Sequence, residues 1–120
     1  MKNLMLFAAL FTITVLFSCK DSCSNMPSSF SSYSDAYEVI NNTSWKIDKS
    51  IRSINSSWVN SASYKSCDGE LGYFIYQTNK GKSYTHSNVP IDIWYEFVDA
   101  DSKGKFIRAK LKGRYRLSIR

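Results

Sequence analysis

Beyond Ser56, hydrophobic and polar positions alternate in three short runs separated by turn signals. The runs are WVNSASY (58–64), LGYFIYQ (71–77) and KSYTHS (82–87), and all three are rich in the aromatic and β-branched residues typical of strands. Asp68-Gly69 separates the first two runs, and a TNKGK turn, in which Gly81 is free to take a positive φ, separates the others. The pattern predicts three antiparallel strands.

The pattern changes to helical spacing after Pro90, which suits the first turn of a helix. Apolar residues form one stripe over 91–98, and carboxylates occupy the opposite face. Ser102 is placed to cap a second helix that Gly113 ends, with Lys105, Arg108 and Lys112 on one stripe. We therefore predict an α+β domain over residues 56–120, a small three-stranded antiparallel sheet followed by two short helices.

Residues 35–55 form an N-terminal extension with a helical pattern. Ser34 is placed to cap a short helix, and Ile47, Ile51 and Ile54 fall at i, i+4 and i+7. Both segments are predicted to be helical, with a loop at Asn41-Asn42-Thr43 between them.

The first residues resemble a bacterial export signal. Lys2 precedes an apolar run of fourteen residues, 4–17, which is too short for a membrane span of roughly 20 residues. Leu16, Ser18 and Cys19 then resemble the lipobox of bacterial lipoproteins. We expect residues 1–18 to be a signal peptide and Cys19 to be lipidated. A plain secretory signal followed by a free cysteine is the alternative, and both export the protein.

Residues 19–34 have the composition of a tether. Seven of the thirteen residues in 22–34 are Ser, so the segment has little apolar surface to bury. We expect a flexible, lipid-anchored link without chemistry of its own.

Charge narrows the choice of partner without deciding it. After Lys2 leaves with the signal, fifteen cations face ten carboxylates, a formal charge of +5. Outside the cytoplasm, anionic lipid, acidic glycans and other proteins are the partners that such charge attracts. We expect the domain to be anchored in the bacterial cell envelope. Lys20 favours the outer membrane, since Asp is the residue associated with inner-membrane retention.

Four pieces of the sequence, in order, resemble the KTSC domain, a small module also found at the C-terminus of some lysyl-tRNA synthetases. They are SSWVNSASY, the segment from Tyr84 to Pro90, the helix IDIWYEFVDA, and ADSKGKFIRAKLKGRY, which together cover about 56–115. The resemblance implies no known activity, although RNA binding has been suspected for the family. His86 stands where the family has the second Tyr of its central motif, and this exchange and the export signal argue against RNA here.

No catalytic or metal site is expected. His86 is the single histidine, whereas a general base needs an orienting partner and zinc needs three or four ligands. We interpret it as a strand residue packing beside Tyr84, and we expect no enzyme, no cofactor and no small-molecule substrate.

Cys23 and Cys67 are the cysteines that remain once Cys19 is acylated, and an exported compartment permits a disulfide between them. Such a bridge closes about 45 residues and stabilises the fold by roughly 3–4 kcal/mol on the chain-entropy model. Because Cys23 lies in the predicted tether, the bridge is a hypothesis.

The last nineteen residues hold eight cations and no carboxylate. Two interpretations of this basic segment stay open: a solvated helix face, or a patch that binds an anion. The candidate binding residues are Tyr84, His86, Lys105, Arg108, Lys112 and Arg114. The leading hypothesis is a non-catalytic, lipid-anchored envelope interaction module that binds a protein or an anionic partner. The alternative is a module that binds RNA or DNA through the basic C-terminal helix.

Overall fold

The computed structural model describes residues 21–120 and contains six strands and three α-helices. The predicted signal peptide and Cys19 lie outside the described residues. In chain order the elements are β1 (Asp21–Ser22), a 3₁₀ turn (Cys23–Asn25), α1 (Tyr33–Asn41), β2 (Thr43–Ser44), β3 (Ile47–Ile51), β4 (Val59–Ser66), β5 (Leu71–Thr78), β6 (Ser83–Pro90), α2 (Ile91–Asp99), α3 (Lys103–Phe106) and a π-helix (Ile107–Leu111). No helix within 21–120 is long and apolar enough to cross a membrane.

The predicted α+β class with an antiparallel sheet is confirmed, but the sheet has four strands in the order β3-β4-β5-β6. The added strand is β3, for which the sequence predicted a helix. Ile47 and Ile51 are four residues apart, a spacing that puts two side chains on one face of a strand as well as of a helix. Both pack on the main core. The predicted helix over this segment is therefore wrong.

The main core lies between one sheet face and the helices that follow β6. Tyr64 and Phe74 are opposite each other on β4 and β5 and are fully buried against Trp94 and Phe97 of α2. The Tyr64 hydroxyl donates to the carbonyl of Val89 at 2.7 Å, and burial raises the pKa of Tyr64 to about 12. Ile107 and Leu111 complete this layer.

A second core covers the other face of the sheet, because β5 carries apolar residues on both of its faces. Ile75 packs there with Ala36 and Ile40 of α1, and with Phe30 and Leu117. Ser32, rather than Ser34, caps α1, because its Oγ accepts from the N–H of Asp35 at 3.0 Å. The sheet is thus the middle of three layers.

The predicted flexible tether is wrong from residue 21 onward. Phe30 is only 2% exposed, and β1 pairs in parallel with β2. Cys23 and Cys67 are joined by a disulfide, with their Cα atoms 5.7 Å apart. Serines gave the segment a tether-like composition, yet one aromatic side chain and one cysteine suffice to hold it.

Helix α3 begins where the sequence predicted, since Ser102 Oγ accepts from the N–H of Lys105 at 3.2 Å. After one turn the backbone widens into the π-helix, which ends before Gly113, at φ +81°. The π-helix breaks the predicted stripe of Lys105, Arg108 and Lys112, since that stripe assumed 3.6 residues per turn throughout.

Candidate anion-binding groove

A row of aromatic rings from β5, β6 and the residue just before β4 forms the floor of a groove. The Tyr76 ring stacks on Tyr84, its cross-strand neighbour, with centroids 5.2 Å apart, and on His86 at 5.8 Å. Trp58 meets Tyr76 edge to face at 5.8 Å. Tyr84 is 44% exposed, whereas Tyr76 is buried, so Tyr84 is the ring that a ligand could contact.

His86 is held as a neutral part of this floor. Its Nδ1 lies 3.0 Å from the carbonyl oxygen of Arg114, which can only accept, so Nδ1 carries the proton. Burial lowers the pKa of His86, although its contacts with the backbone of Arg114 and Tyr115 oppose that shift. Nε2 is buried without a hydrogen-bond partner. The ring therefore serves packing and holds the segment that crosses it.

That segment, residues 112–117, forms one wall of the groove. Tyr115 has φ +52°, which reverses the chain so that its carbonyl accepts from the N–H of Ser87 at 2.9 Å. Ser87 Oγ also donates to the carbonyl of Arg116 at 3.0 Å. These bonds tie the basic segment to β6.

Four cations and the aromatic floor line one cavity of about 830 Å³, which we call the basic groove. The cations are Lys82 from the β5–β6 turn, and Lys112, Arg114 and Arg116 from the wall. No Asp or Glu is found among its lining residues within the described chain. The groove therefore combines positive charge with exposed ring surface.

Trp58 separates the basic groove from α3. The Arg108 guanidinium lies 4.6 Å from the centroid of its ring, a cation–π contact. Gly104 of α3 packs against the indole Nε1, which is buried without a hydrogen-bond partner. Arg108 thus stabilises the boundary of the groove rather than standing free in it.

The structure brings together four of the six predicted binding residues. Tyr84, His86, Lys112 and Arg114 line the basic groove. Arg108 packs on Trp58, and Lys105 is exposed on α3 outside the groove lining. Sequence reasoning missed Lys82 and Arg116. Arg116 reaches the groove because it pairs with His86. The sequence carries no signal for this pairing, because residues 115–117 form no regular strand.

Residues 21–120 contain no cluster of three His, Cys, Asp or Glu that could hold a metal ion. The disulfide lies at the opposite end of β5 from the β5–β6 turn. The arrangement is suited to holding an anion beside a ring.

Comparison with known proteins identifies the fold. The family model described as KTSC domain matches residues 55–115. The crystal structure of the KTSC domain protein YPO2434 from Yersinia pestis is similar over 58% of this chain and 93% of that one, at a TM-score of 0.50 and 24% identity. No curated protein matches the chain.

Proposed function

Starting from the fact that the chain belongs to the KTSC domain family, we propose that it is a non-catalytic envelope module that binds an acidic glycan in the basic groove. The observation that carries the proposal is the union of four cations and the exposed Tyr84 ring, without a carboxylate, in one cavity. Carboxylates of a sugar acid would pair with the arginines, and a sugar ring would pack on Tyr84.

The size of the groove supports this ligand class. A cavity of about 830 Å³ is within the range of small-ligand sites, and it fits a few sugar rings. A stable protein–protein interface instead covers roughly 800 Å² of each partner, most of it outside such a cavity. We therefore favour a glycan over a protein.

Export and lipid anchoring support the same proposal. The Cys23–Cys67 disulfide is the kind of bond that persists in oxidising compartments, where acidic glycans are abundant. Cys19, within its lipobox-like context, would attach the chain to a bacterial envelope membrane, and Lys20 favours the outer one.

The test is binding of the detergent-purified full chain to polygalacturonate, with neutral dextran as the comparison, followed by tryptophan fluorescence. We expect polygalacturonate to bind and dextran not to bind. Lys112→Glu with Arg114→Glu should raise Kd by about tenfold or more, since two charge-assisted contacts become repulsive.

The matched control is Lys105→Glu with Lys110→Glu, which changes net charge equally at two exposed positions outside the groove lining. Because neither side chain lines the groove and exposed charges are screened at physiological salt, Kd should change much less than in the groove pair, by roughly threefold at most. An equal loss in both pairs, or no binding by the unaltered chain, would contradict the proposal.

Nucleic acid is the second candidate, because the exposed Tyr84 ring beside cations also suits a base and its phosphate. A single-stranded DNA oligonucleotide is therefore titrated alongside the glycan. Tighter binding of the oligonucleotide, lost in the groove pair and falling steeply with salt, would replace the glycan proposal with this one.

A further inference from the structure

The disulfide holds the beginning of the described chain at one end of the sheet. Cys67 lies in the β4–β5 turn, and Cys23 directly follows β1. The partner of β1 is β2, which leads into β3 at Ile47, the residue opposite Ser66 beside that same turn. The chain therefore enters the domain at the β4–β5 end.

The basic groove extends from the middle of the sheet to the other end. Strand β5 leaves the disulfide end at Leu71 and reaches the groove lining at Thr78, followed by Lys82 in the β5–β6 turn. Eight strand residues span roughly 25 Å at about 3.3 Å each. The entry point and the far end of the groove are separated by that length.

The bridge also sets how far the domain can move from residue 19. Cys23 is four positions after Cys19, which limits the distance between their Cα atoms to about 14 Å. If the bridge is absent and the two-residue pairing of β1 with β2 opens with it, the next deeply buried side chain is Phe30, and a separation of eleven residues reaches about 38 Å. The disulfide thus keeps the domain close to residue 19, and its loss more than doubles the maximum distance between residue 19 and the first fixed residue.

We propose that the Cys23–Cys67 disulfide orients the lipid-anchored domain, with the β4–β5 turn toward the bilayer and the basic groove facing away from it. This inference rests on the proposed lipid anchor and the proposed groove. It narrows the ligand to an acidic glycan beyond the headgroup layer, because the groove then cannot reach anionic lipid of its own membrane.

Charge alone would not give this orientation on an anionic membrane. The β4–β5 turn exposes Asp68 and Glu70, near Lys46, whereas the groove has cations alone among its charged lining residues in the described chain. The N–H groups of Glu70 and Leu71 donate to the Asp68 carboxylate and lower its pKa, so it stays ionised. An anionic surface would attract the groove end more strongly than the β4–β5 turn. The orientation with that turn toward the bilayer therefore depends on the short connection between Cys19 and the bridged Cys23.

Energy transfer tests the orientation. The full chain, produced with its own signal and reconstituted into vesicles, carries a donor dye on a clickable residue that replaces Glu70 or Lys80, both exposed. The acceptor is a headgroup-labelled lipid. We expect the dye at 70 to lie closer to the acceptor plane than the dye at 80 by roughly 20 Å, in neutral vesicles and in vesicles with phosphatidylglycerol.

Replacing both Cys23 and Cys67 with Ser is the matched variant, and in it the difference between the two dyes should fall by at least about half, as the longer connection to Cys19 allows. Equal transfer from both dyes in the bridged chain, or a reversed order in phosphatidylglycerol vesicles, would overturn the orientation.

The outcomes separate this inference from the proposed function. Mass spectrometry of Cys19 reports the anchor, and polygalacturonate binding by the vesicle-bound chain reports the groove. If Cys19 is unmodified, the anchor proposal and the inference fail together. A lipidated chain that binds the glycan but shows no dye difference would overturn the inference alone.

Discussion

At the residue scale, Gly104 shows how tightly α3 approaches the groove. A Cβ built there would collide with Trp58 Nε1, and would lie 3.1 Å from Trp58 Cδ1 and 3.2 Å from Ser56 Oγ. In most helices Ala is more stable than Gly by about 1 kcal/mol. Here the collision outweighs that preference, so helix propensity does not decide the residue.

We predict that Gly104→Ala destabilises the protein by about 1–3 kcal/mol, because the indole or the helix must shift. Urea unfolding measures this free energy. Lys105→Ala, at an exposed site in the same helix, is the control and should change stability by less than about 0.5 kcal/mol. A stabilised Gly104→Ala variant would show that α3 does not press on Trp58.

His86 gives a prediction in pH. Burial lowers the pKa of His86, so the folded chain binds its proton less readily than the unfolded chain does. Stability from this residue is complete above about pH 6.5, the ordinary value, and is lost as pH falls toward the lower folded-state pKa. The free energy of unfolding should therefore decline on acidification below about pH 6.5.

The comparison is His86→Gln, which does not titrate. Its unfolding free energy should change less between about pH 6.5 and 5.5 than that of the unaltered chain, whose single histidine is His86. Parallel curves for the two proteins would mean that His86 titrates normally in the fold.

At the scale of elements, the segment before α1 behaves as part of the domain. The N–H of Phe30 donates to the carbonyl of Ser118 at 2.9 Å, and its ring packs edge to face on Tyr73 at 6.4 Å. A residue in a solvated tether makes neither contact. The element extends the second core beyond the residues matched by the family model.

We predict that Phe30→Ala lowers the free energy of unfolding by about 3–5 kcal/mol, the usual cost of emptying a buried aromatic site. Tyr33→Ala is the matched control, since Tyr33 is 62% exposed, and a change below about 0.5 kcal/mol is expected. If a denaturant titration gave equally small effects for both variants, the original prediction of a flexible tether would be supported instead.

The same scale explains which elements the sequence predicted. The sequence predicted the elements whose hydrophobic pattern fits a single period, namely β4, β5, β6 and α2. It also predicted that Ser102 and Gly113 bound the last helical segment. Strand β3 was predicted to be a helix because the spacing of its two isoleucines fits both the helical and the strand period. Only its pairing with β4 decides between a helix and a strand. The π-helix gives no pattern of its own.

At the scale of the whole molecule, the candidate site was half predictable. Tyr84 and His86 share a strand face by simple alternation, and Lys112 and Arg114 are neighbours in sequence. Lys82 joins them only through the β5–β6 turn, and Arg116 only because Tyr115 adopts a left-handed backbone. The meeting of these side chains in one groove depends on the tertiary structure, which a single sequence does not reveal.

The pairing of Phe30 with residues 118–120 has a consequence for timing. The N–H of Arg120 donates to the carbonyl of Phe30 at 2.9 Å, and its guanidinium donates to the carbonyl of Ser29 at 2.6 Å. A ribosome releases residue 30 long before residue 120, at roughly 5–20 residues per second. The second core therefore cannot be completed before residues 117–120 have been synthesised.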